Sequence, residues 1–252
     1  MPDPIADLFP RSQRYDLDWV VANQMGPNVL WLTESLTNVM DLRPGMRVLD
    51  LGCGRALSSI FLAKEFGLQV WATDLWIKPA ENWSRIREAG LEDRVFPIYA
   101  EAHALPFAPD FFDAIVSMDA FHYFGTDVHY LEHHLLKHLK PGGQLGVASP
   151  ASPAPLPDPM TGYLADRWYF MHSVDWWRTH WRRCPGLDVE LAEAVPNGWD
   201  FWLRWAEITH ERNPTKPPHW EYRDLIEDQG AHLGFVRMVA RRAKTISRGA
   251  AE

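Results

Sequence analysis

Cysteine, long apolar runs and clustered positive charge are all scarce in this sequence. Its two cysteines, Cys53 and Cys184, are too few for a disulfide framework or a zinc cluster, so we expect free thiols. No apolar run approaches the roughly 18 residues of a membrane-spanning helix, and residues 1–16 lack the basic and apolar regions of a secretory signal. We therefore expect a soluble protein with no membrane partner and a cytoplasmic location.

The deficit of positive charge bears on possible partners. The chain has 25 Lys and Arg residues against 33 Asp and Glu residues, which gives a formal net charge of −8. A surface that binds nucleic acid needs clustered Lys and Arg side chains to neutralise phosphates. We therefore expect a small-molecule substrate and no nucleic-acid partner, with the protein acting as a monomer or a homodimer.

Strand-like and helical segments alternate between residues 46 and 150. Short apolar runs predict strands at 47–51, 68–73, 95–100, 112–118 and 145–149. Apolar residues at helical spacing predict helices at 56–66, 78–88 and 128–139. Alternation at this spacing indicates a parallel sheet that is covered by helices on both faces, with right-handed crossovers.

After Pro150 the alternation stops. Residues 151–159 hold four prolines, which is typical of a linker. Beyond the linker, Ser173 is a candidate cap for a tryptophan-containing helix. The remaining pattern predicts a strand at 187–195, a helix at 198–210, a last strand at 232–240 and a frayed tail from residue 241.

The turn after the first predicted strand contains Gly52 and Gly54. In a parallel sheet the ligand binds at the carboxyl ends of the strands, and glycines there let it approach the backbone. The dinucleotide fingerprint requires a third glycine three residues further on, where this sequence has Leu57. A nicotinamide-dependent oxidoreductase is thereby disfavoured and stays as an alternative.

The segment 48–54 resembles the first motif of the class I S-adenosylmethionine-dependent methyltransferases, with Asp50 in the acidic position before the glycines. The resemblance extends over residues 46–150. It implies S-adenosylmethionine as cofactor and an α/β fold with a Rossmann-like, seven-stranded, mostly parallel sheet. The expected organisation is an amino-terminal helical cap (1–45), a cofactor-binding core (46–150), a helical, aromatic-rich lid (151–186), a segment that completes the sheet (187–244) and a tail (245–252).

Further positions match this family in order and spacing. Asp74 ends the second predicted strand, where the family has an acid that binds both ribose hydroxyls. Glu101 and Ala102 occupy the place, after the third strand, that meets the adenine amino group. Residues 112–113 and 141–143 are the Phe-Asp and Pro-Gly-Gly sequences that open the fourth strand and precede the fifth.

The resemblance also gives a tyrosine near the cofactor carboxylate, in the amino-terminal segment, and here that residue is Tyr15. The residues expected to bind the cofactor are therefore Tyr15, Asp50, Gly52, Cys53, Gly54, Asp74, Leu75, Glu101, Ala102 and Met118. Each also has a plainer interpretation, since glycines form tight turns, an aspartate can cap a helix and a glutamate can be solvated surface. The ordered combination favours the cofactor site.

The loop after the fourth strand supplies the candidate catalytic residues Asp119, His122 and Tyr123. Residues 117–121 resemble the sarcosine/dimethylglycine and phosphoethanolamine N-methyltransferases, in which the acid lies beside the reacting amine. By that resemblance Asp119 orients an amine or accepts its proton. Those families often place a histidine four residues after the acid, where this chain has Tyr123. The alternative is that Asp119 caps the following turn and His122 is packed or solvated.

Tryptophan is abundant, with 13 residues in the chain, most of them after residue 165. The family places its substrate lid in this region, so we expect Trp168, Trp176, Trp199 and Trp202 to bind substrate. They could form an aromatic cage for a cationic nitrogen or a pocket for a flat apolar acceptor. Aromatic residues at helical spacing are also the ordinary content of a core.

Four histidines at 129, 133, 134 and 138 fall within one predicted helix, but no His-Glu-x-x-His signature is present, so we expect no metal. The combined prediction is a methyltransferase that acts on a small molecule, with an amine nitrogen favoured as acceptor. The alternatives are an O- or C-methyltransferase of a small aromatic or quinone-like substrate, and a non-catalytic S-adenosylmethionine-binding protein.

Overall fold

The computed structural model describes residues 4–213 and 219–244, and seven strands and eight α-helices lie within them. The strands are β1 (Arg47–Leu51), β2 (Gln69–Asp74), β3 (Val95–Tyr99), β4 (Phe112–Met118), β5 (Leu139–Pro150), β6 (Leu187–Ala194) and β7 (Phe235–Arg242). The helices are α1 (Leu17–Asn23), α2 (Val29–Thr37), α3 (Leu57–Phe66), α4 (Pro79–Glu88), α5 (Gly162–Arg167), α6 (Val174–Arg182), α7 (Gly198–Glu211) and α8 (Trp220–Asp228).

All seven strands form one sheet in the order β3-β2-β1-β4-β5-β7-β6. Strands β1 to β5 pair in parallel, whereas β7 runs antiparallel to both β5 and β6. The strand order reverses between β1 and β4, which is where open α/β sheets bind their ligands. The predicted seven-stranded, mostly parallel sheet is confirmed.

The sheet is apolar on both faces because its strands are covered on both sides. Along β1, Val48 belongs to one buried cluster and Leu49 to the other, as the alternation of side chains across a strand requires. The first cluster includes side chains of α2, α3 and α7, and the second includes the tryptophans of α6. Every helix in the described part of the chain is too short or too polar to cross a lipid bilayer.

The amino-terminal segment is fixed to the core through one buried carboxylate. Glu34 on α2 accepts hydrogen bonds from the backbone N–H groups of Arg11 (3.0 Å) and Ser12 (2.8 Å), and from the Ser12 hydroxyl (2.7 Å). Since Glu34 is only 2% exposed, these bonds satisfy a charge that would otherwise be buried without a partner. The segment before β1 is thereby held against α2.

Several element boundaries follow the local signals in the sequence. The helix α3 ends at Gly67, which adopts a left-handed conformation and donates its N–H to Ala63. The predicted cap of α6 is also confirmed, because the Ser173 hydroxyl accepts from the N–H of Trp176.

Two predictions about local structure were wrong. Residues 128–139 do not form one regular helix: Leu131–Leu135 is a π turn and Leu136–His138 a 3₁₀ turn. The carbonyls of the last turn accept from the N–H groups of Asp110 (2.9 Å) and Phe111 (3.0 Å), which ties that turn to the loop before β4.

The chain also does not fray at residue 241. The Arg241 side chain donates to Asp41 (2.8 Å), to Glu190 (2.5 Å) and to the Gly142 carbonyl (3.0 Å), and β7 continues to Arg242. The predicted tail, 245–252, lies outside the described residues.

Candidate active site

The carboxyl ends of β1, β2 and β4 border a cavity of about 280 Å³. All the residues expected to bind the cofactor, except Tyr15 and Asp50, line it, and so do the expected catalytic residues Asp119 and Tyr123. The cavity therefore lies at the point where the strand order reverses, and it brings together residues from distant parts of the sequence.

The turn after β1 admits only glycine at its first position. Gly52 has φ +73°, and a Cβ atom there would lie 2.4 Å from the Cβ atom of Ala120. Gly54 has φ +53°, and its N–H donates to Oδ2 of Asp74 over 2.8 Å. The absent side chains bring the backbone of the turn to the surface of the cavity, where a ligand can contact it.

Asp74 organises the cavity through both carboxylate oxygens. Its Oδ1 atom accepts from the N–H groups of Trp76 (2.7 Å) and Ile77 (2.9 Å), while its Oδ2 atom accepts from Gly54. Each carboxylate oxygen has two lone pairs. One lone pair of Oδ2 is therefore left for a ligand hydroxyl, so one of the two ribose hydrogen bonds expected from the sequence has a ready acceptor.

Asp50 lies beneath the glycine turn, away from the cavity wall. It is fully buried, and its Oδ2 atom accepts from the hydroxyls of Ser58 and Ser59, both over 2.6 Å. Burial raises the pKa of Asp50 to about 6, although the two hydroxyls oppose the rise. The position of Asp50 fits an anchor between β1 and α3 and not a direct ligand contact.

Tyr15 is also remote from the cavity. Its ring packs against Phe61, with 5.7 Å between the ring centroids, and its hydroxyl donates to Glu65 over 3.3 Å. Burial and the adjacent Glu65 carboxylate raise the pKa of Tyr15. Arg55, which directly follows Gly54 in the chain, lines the cavity and donates to the carbonyl of Ala22 over 3.1 Å.

Glu101 and Ala102 line the cavity after β3. The Glu101 side chain is 46% exposed and accepts from the backbone N–H of His103 over 3.0 Å. The His103 ring, 2.8 Å away, holds the pKa of Glu101 below its usual range. Glu101 is thus a carboxylate at the cavity rim, able to accept from a ligand amino group.

Asp119 follows β4 in a left-handed conformation, with φ +52°, which aspartate tolerates better than most residues. Its N–H donates to the Ala148 carbonyl over 2.8 Å, and this bond fixes the bend. Burial raises the pKa of Asp119 well above its usual range, and the nearby Glu221 carboxylate adds to the rise. A raised pKa makes the ionised carboxylate a stronger base.

The other two candidate catalytic residues differ in position. Tyr123 lines the cavity with 63% of its surface exposed, and its ring lies edge-on to Trp76, with 5.2 Å between centroids. His122 does not line the cavity: it contacts Ser149 Oγ over 3.1 Å and stacks on Phe170. Burial lowers the pKa of His122 to about 4, so the ring is neutral at pH 7.

Only two of the four candidate substrate-binding tryptophans are in ring contact: Trp168 and Trp202 lie edge to face, with 5.4 Å between centroids. Trp168 donates to Asp224 over 2.9 Å, Trp199 donates to the Leu225 carbonyl over 3.0 Å, and neither lines the cavity. Trp176 is stacked between two histidine rings, also away from it. Trp202 lines a second cavity, of about 380 Å³, next to the first.

Sequence reasoning missed the loop between α1 and α2. Asn23, Met25, Gly26 and Pro27 all line the first cavity. The loop is held by the Trp205 indole N–H, which donates to the Gly26 carbonyl over 3.0 Å. No motif marks these residues, because their role depends on a partner 179 positions away in the chain.

Comparison with known proteins agrees with this geometry. Residues 48–143 match a family model described as a methyltransferase domain. The chain is 34% identical over 118 residues to methyltransferase GfsG of Streptomyces halstedii, covering 46% of this chain and 42% of the relative. It is 30% identical over 175 residues to 27-O-demethylrifamycin SV methyltransferase of Amycolatopsis mediterranei, covering 65% and 62%. The chain spans less than two thirds of the length of each relative.

A solved structure shares the fold over most of the chain. A putative sarcosine dimethylglycine methyltransferase from Galdieria sulphuraria superimposes with a TM-score of 0.69 at 22% identity, covering 86% of this chain and 84% of the other. The chain therefore shares the fold of that structure.

Proposed function

We propose that this chain, whose residues 48–143 match a methyltransferase family model, is a class I S-adenosylmethionine-dependent methyltransferase that transfers a methyl group to an amine nitrogen of a small molecule. The observation that carries the proposal is one cavity, at the reversal of the strand order, that is bordered by Gly52, Gly54, Asp74 and Asp119. Bound S-adenosylmethionine supplies an electrophilic methyl group. The side chains around the cavity then bind the cofactor, orient the acceptor and take up its proton.

The residues present fit the cofactor. The open backbone at Gly52 and Gly54 lets a ligand approach the turn, and Asp74 has a free lone pair for a ribose hydroxyl. Arg55 is the one Lys or Arg among the described residues that line the cavity, so we assign it to the cofactor carboxylate. Glu101 accepts from the adenine amino group. We assign no ligand contact to Tyr15 or Asp50.

Asp119 provides the chemistry on the acceptor side. An ammonium nitrogen has no lone pair, so an amine has to lose a proton before it can react. The buried Asp119 carboxylate accepts a hydrogen bond from the amine and takes up that proton, for which its raised pKa suits it. Holding the nitrogen close and in line is worth about 7–11 kcal/mol. Tyr123, at the same cavity, can donate a hydrogen bond to the acceptor, whereas His122 supports the loop.

A hydroxyl acceptor is the second candidate. One relative is named as a methyltransferase of 27-O-demethylrifamycin SV, and the second cavity has aromatic walls that suit a flat acceptor. We also propose a cytoplasmic, monomeric or homodimeric enzyme.

Incubation with S-adenosylmethionine that carries an isotope-labelled methyl group, and with a panel of amines and phenols, tests the activity. We expect label in an amine, together with equimolar S-adenosylhomocysteine. Transfer to phenols alone would show that the acceptor atom is a hydroxyl oxygen and not an amine nitrogen. Binding of NAD but not of S-adenosylmethionine, measured by calorimetry, would overturn the proposal.

A further inference from the structure

The second cavity adjoins the first and shares two lining residues with it. Its described lining residues are Gln24, Met25, Gly26, Trp202, Trp205, Ala206, Thr209, His210, Asn213, His219, Glu221 and Tyr222. Met25 and Gly26 also line the cofactor cavity, so the two cavities meet at the α1–α2 loop. A molecule in the second cavity therefore lies against the residues that border the first.

The permanently charged side chains among the described residues of the second cavity are of one sign, negative. Glu221 is the one carboxylate among its described lining residues, and none of them is Lys or Arg. The Glu221 side chain is 21% exposed, and its nearest cationic candidate is the His219 ring at 3.9 Å. Burial lowers the pKa of that histidine, which favours its neutral form. Glu221 thus has no permanent positive partner among the described residues of the cavity.

The carboxyl of Asp119, which lines the first cavity, lies close to that of Glu221, which lines the second. Glu221 contributes to the raised pKa of Asp119, so the two groups sense each other's charge. Burial raises the pKa of Glu221 to about 7, and the adjacent indole N–H of Trp202 opposes the rise. Glu221, with no Lys or Arg among the described residues of its cavity and a second carboxyl close by, marks this region as a binding site for a polar ligand.

The side chains that line the second cavity favour a cationic ligand. A buried carboxylate without a partner is costly, and a bound cation removes that cost. Indole rings attract cations as well, and Trp202 and Trp205 both line the cavity. A phosphate or carboxylate on the ligand would instead meet Glu221 and Asp119 with no Lys or Arg, among the described lining residues, to neutralise it.

We propose that the second cavity binds the methyl acceptor as a cationic amine through Glu221, and that it rejects amines that also carry a phosphate or a carboxylate. This inference rests on the proposed methyl transfer and narrows its substrate class. Glu221 is the specificity-determining residue. The amine enters as an ammonium ion, pairs with Glu221 and gives one proton to Asp119. Its nitrogen would then bond to the methyl carbon of S-adenosylmethionine while the sulfur–carbon bond breaks, which gives a methylated ammonium ion and S-adenosylhomocysteine.

Two matched pairs of probes test the selection. The protein is first saturated with S-adenosylhomocysteine, and it is then titrated calorimetrically with phenethylamine against phenylalanine, and with ethanolamine against phosphoethanolamine. We expect the member without an acid group to bind more tightly in each pair, by about tenfold or more. Equal or tighter binding of the acid-bearing members, or binding of none of the four, would overturn the inference.

Variants on α8 test whether the Glu221 side chain is responsible for amine binding. Glu221→Gln keeps the shape of the residue and removes its charge, so the amines should bind about tenfold to a hundredfold more weakly, while affinity for S-adenosylhomocysteine is retained. Glu227→Gln, an exposed change on the same helix, should alter neither. Unchanged amine affinity in Glu221→Gln would contradict the assignment.

Labelled methyl transfer, measured on the same four probes, separates the two proposals. Transfer to phosphoethanolamine or phenylalanine at the rate of the matched amine would refute the selection and leave the methyltransferase activity standing. Failure to bind S-adenosylmethionine would refute the activity itself.

Discussion

The Oδ2 atom of Asp119 lies 2.7 Å from the position that a Cβ atom on Gly26 would occupy. Gly26 belongs to the loop between α1 and α2, whereas Asp119 follows β4, so the contact joins the amino-terminal segment to the sheet. The Gly26 carbonyl is in turn fixed by Trp205 of α7. The absence of a side chain at Gly26 therefore leaves room for the Asp119 carboxylate, which we propose contacts the methyl acceptor.

The variant Gly26→Ala should displace the Asp119 carboxylate and leave the glycine turn intact. Because a misplacement of about 1 Å can cost about a hundredfold in rate, we expect kcat to fall by that order while the Kd for S-adenosylmethionine changes little. Steady-state kinetics and calorimetry measure the two quantities. Gly234→Ala is the control, since its Cβ atom would meet Pro153 at an ordinary 3.6 Å. Retention of full kcat in Gly26→Ala would refute the positioning role.

Substitution of two tryptophans by phenylalanine separates acceptor binding from packing. Trp202 lines the second cavity near Glu221, so Trp202→Phe should weaken the binding of a cationic amine by about two- to thirtyfold. Trp176 stacks on His172, with 3.6 Å between centroids, and on His180, so Trp176→Phe should lower the free energy of unfolding and spare amine affinity. Equal losses of amine affinity would place both residues at the acceptor.

Asp50 should make the protein less stable as the pH rises through the weakly acid range. The folded protein holds the Asp50 proton more tightly than the unfolded chain, because burial raises the pKa from 3.8 to about 6. Stability is therefore lost between about pH 4 and pH 6, by about 2–3 kcal/mol in all. Denaturant unfolding across this range should show a smaller decline in Asp50→Asn than in the wild type. An identical pH dependence in the two proteins would contradict the assignment.

The sequence predicted the sheet and most of the first cavity because both depend on local signals. Apolar runs marked the strands, and Gly52, Gly54 and Asp74 follow strand ends, which parallel pairing brings to one edge of the sheet. The resemblance to a known family supplied the roles of these residues. Position 50 has the acidic residue that the motif requires, yet the Asp50 side chain accepts from serines of α3 and does not line the cavity.

The second cavity could not be predicted in the same way. Glu221 and Gly26 carry no motif, and their proximity depends on how α7 and α8 pack against the α1–α2 loop. Tryptophans at helical spacing have the same pattern whether they fill a core or line a pocket. Only the packing distinguishes Trp202, which lines a cavity, from Trp168, which donates to a buried Asp224.

Our central proposal is that Asp74 binds the cofactor and that Asp119 acts on the acceptor. The most direct test is calorimetric titration of S-adenosylmethionine into the wild type, Asp74→Asn and Asp119→Asn, with turnover measured on the same samples. We expect Asp74→Asn to weaken binding by about tenfold to a hundredfold, and Asp119→Asn to retain wild-type affinity with a reduced rate of methyl transfer. Equal losses of cofactor affinity in both variants would contradict the account.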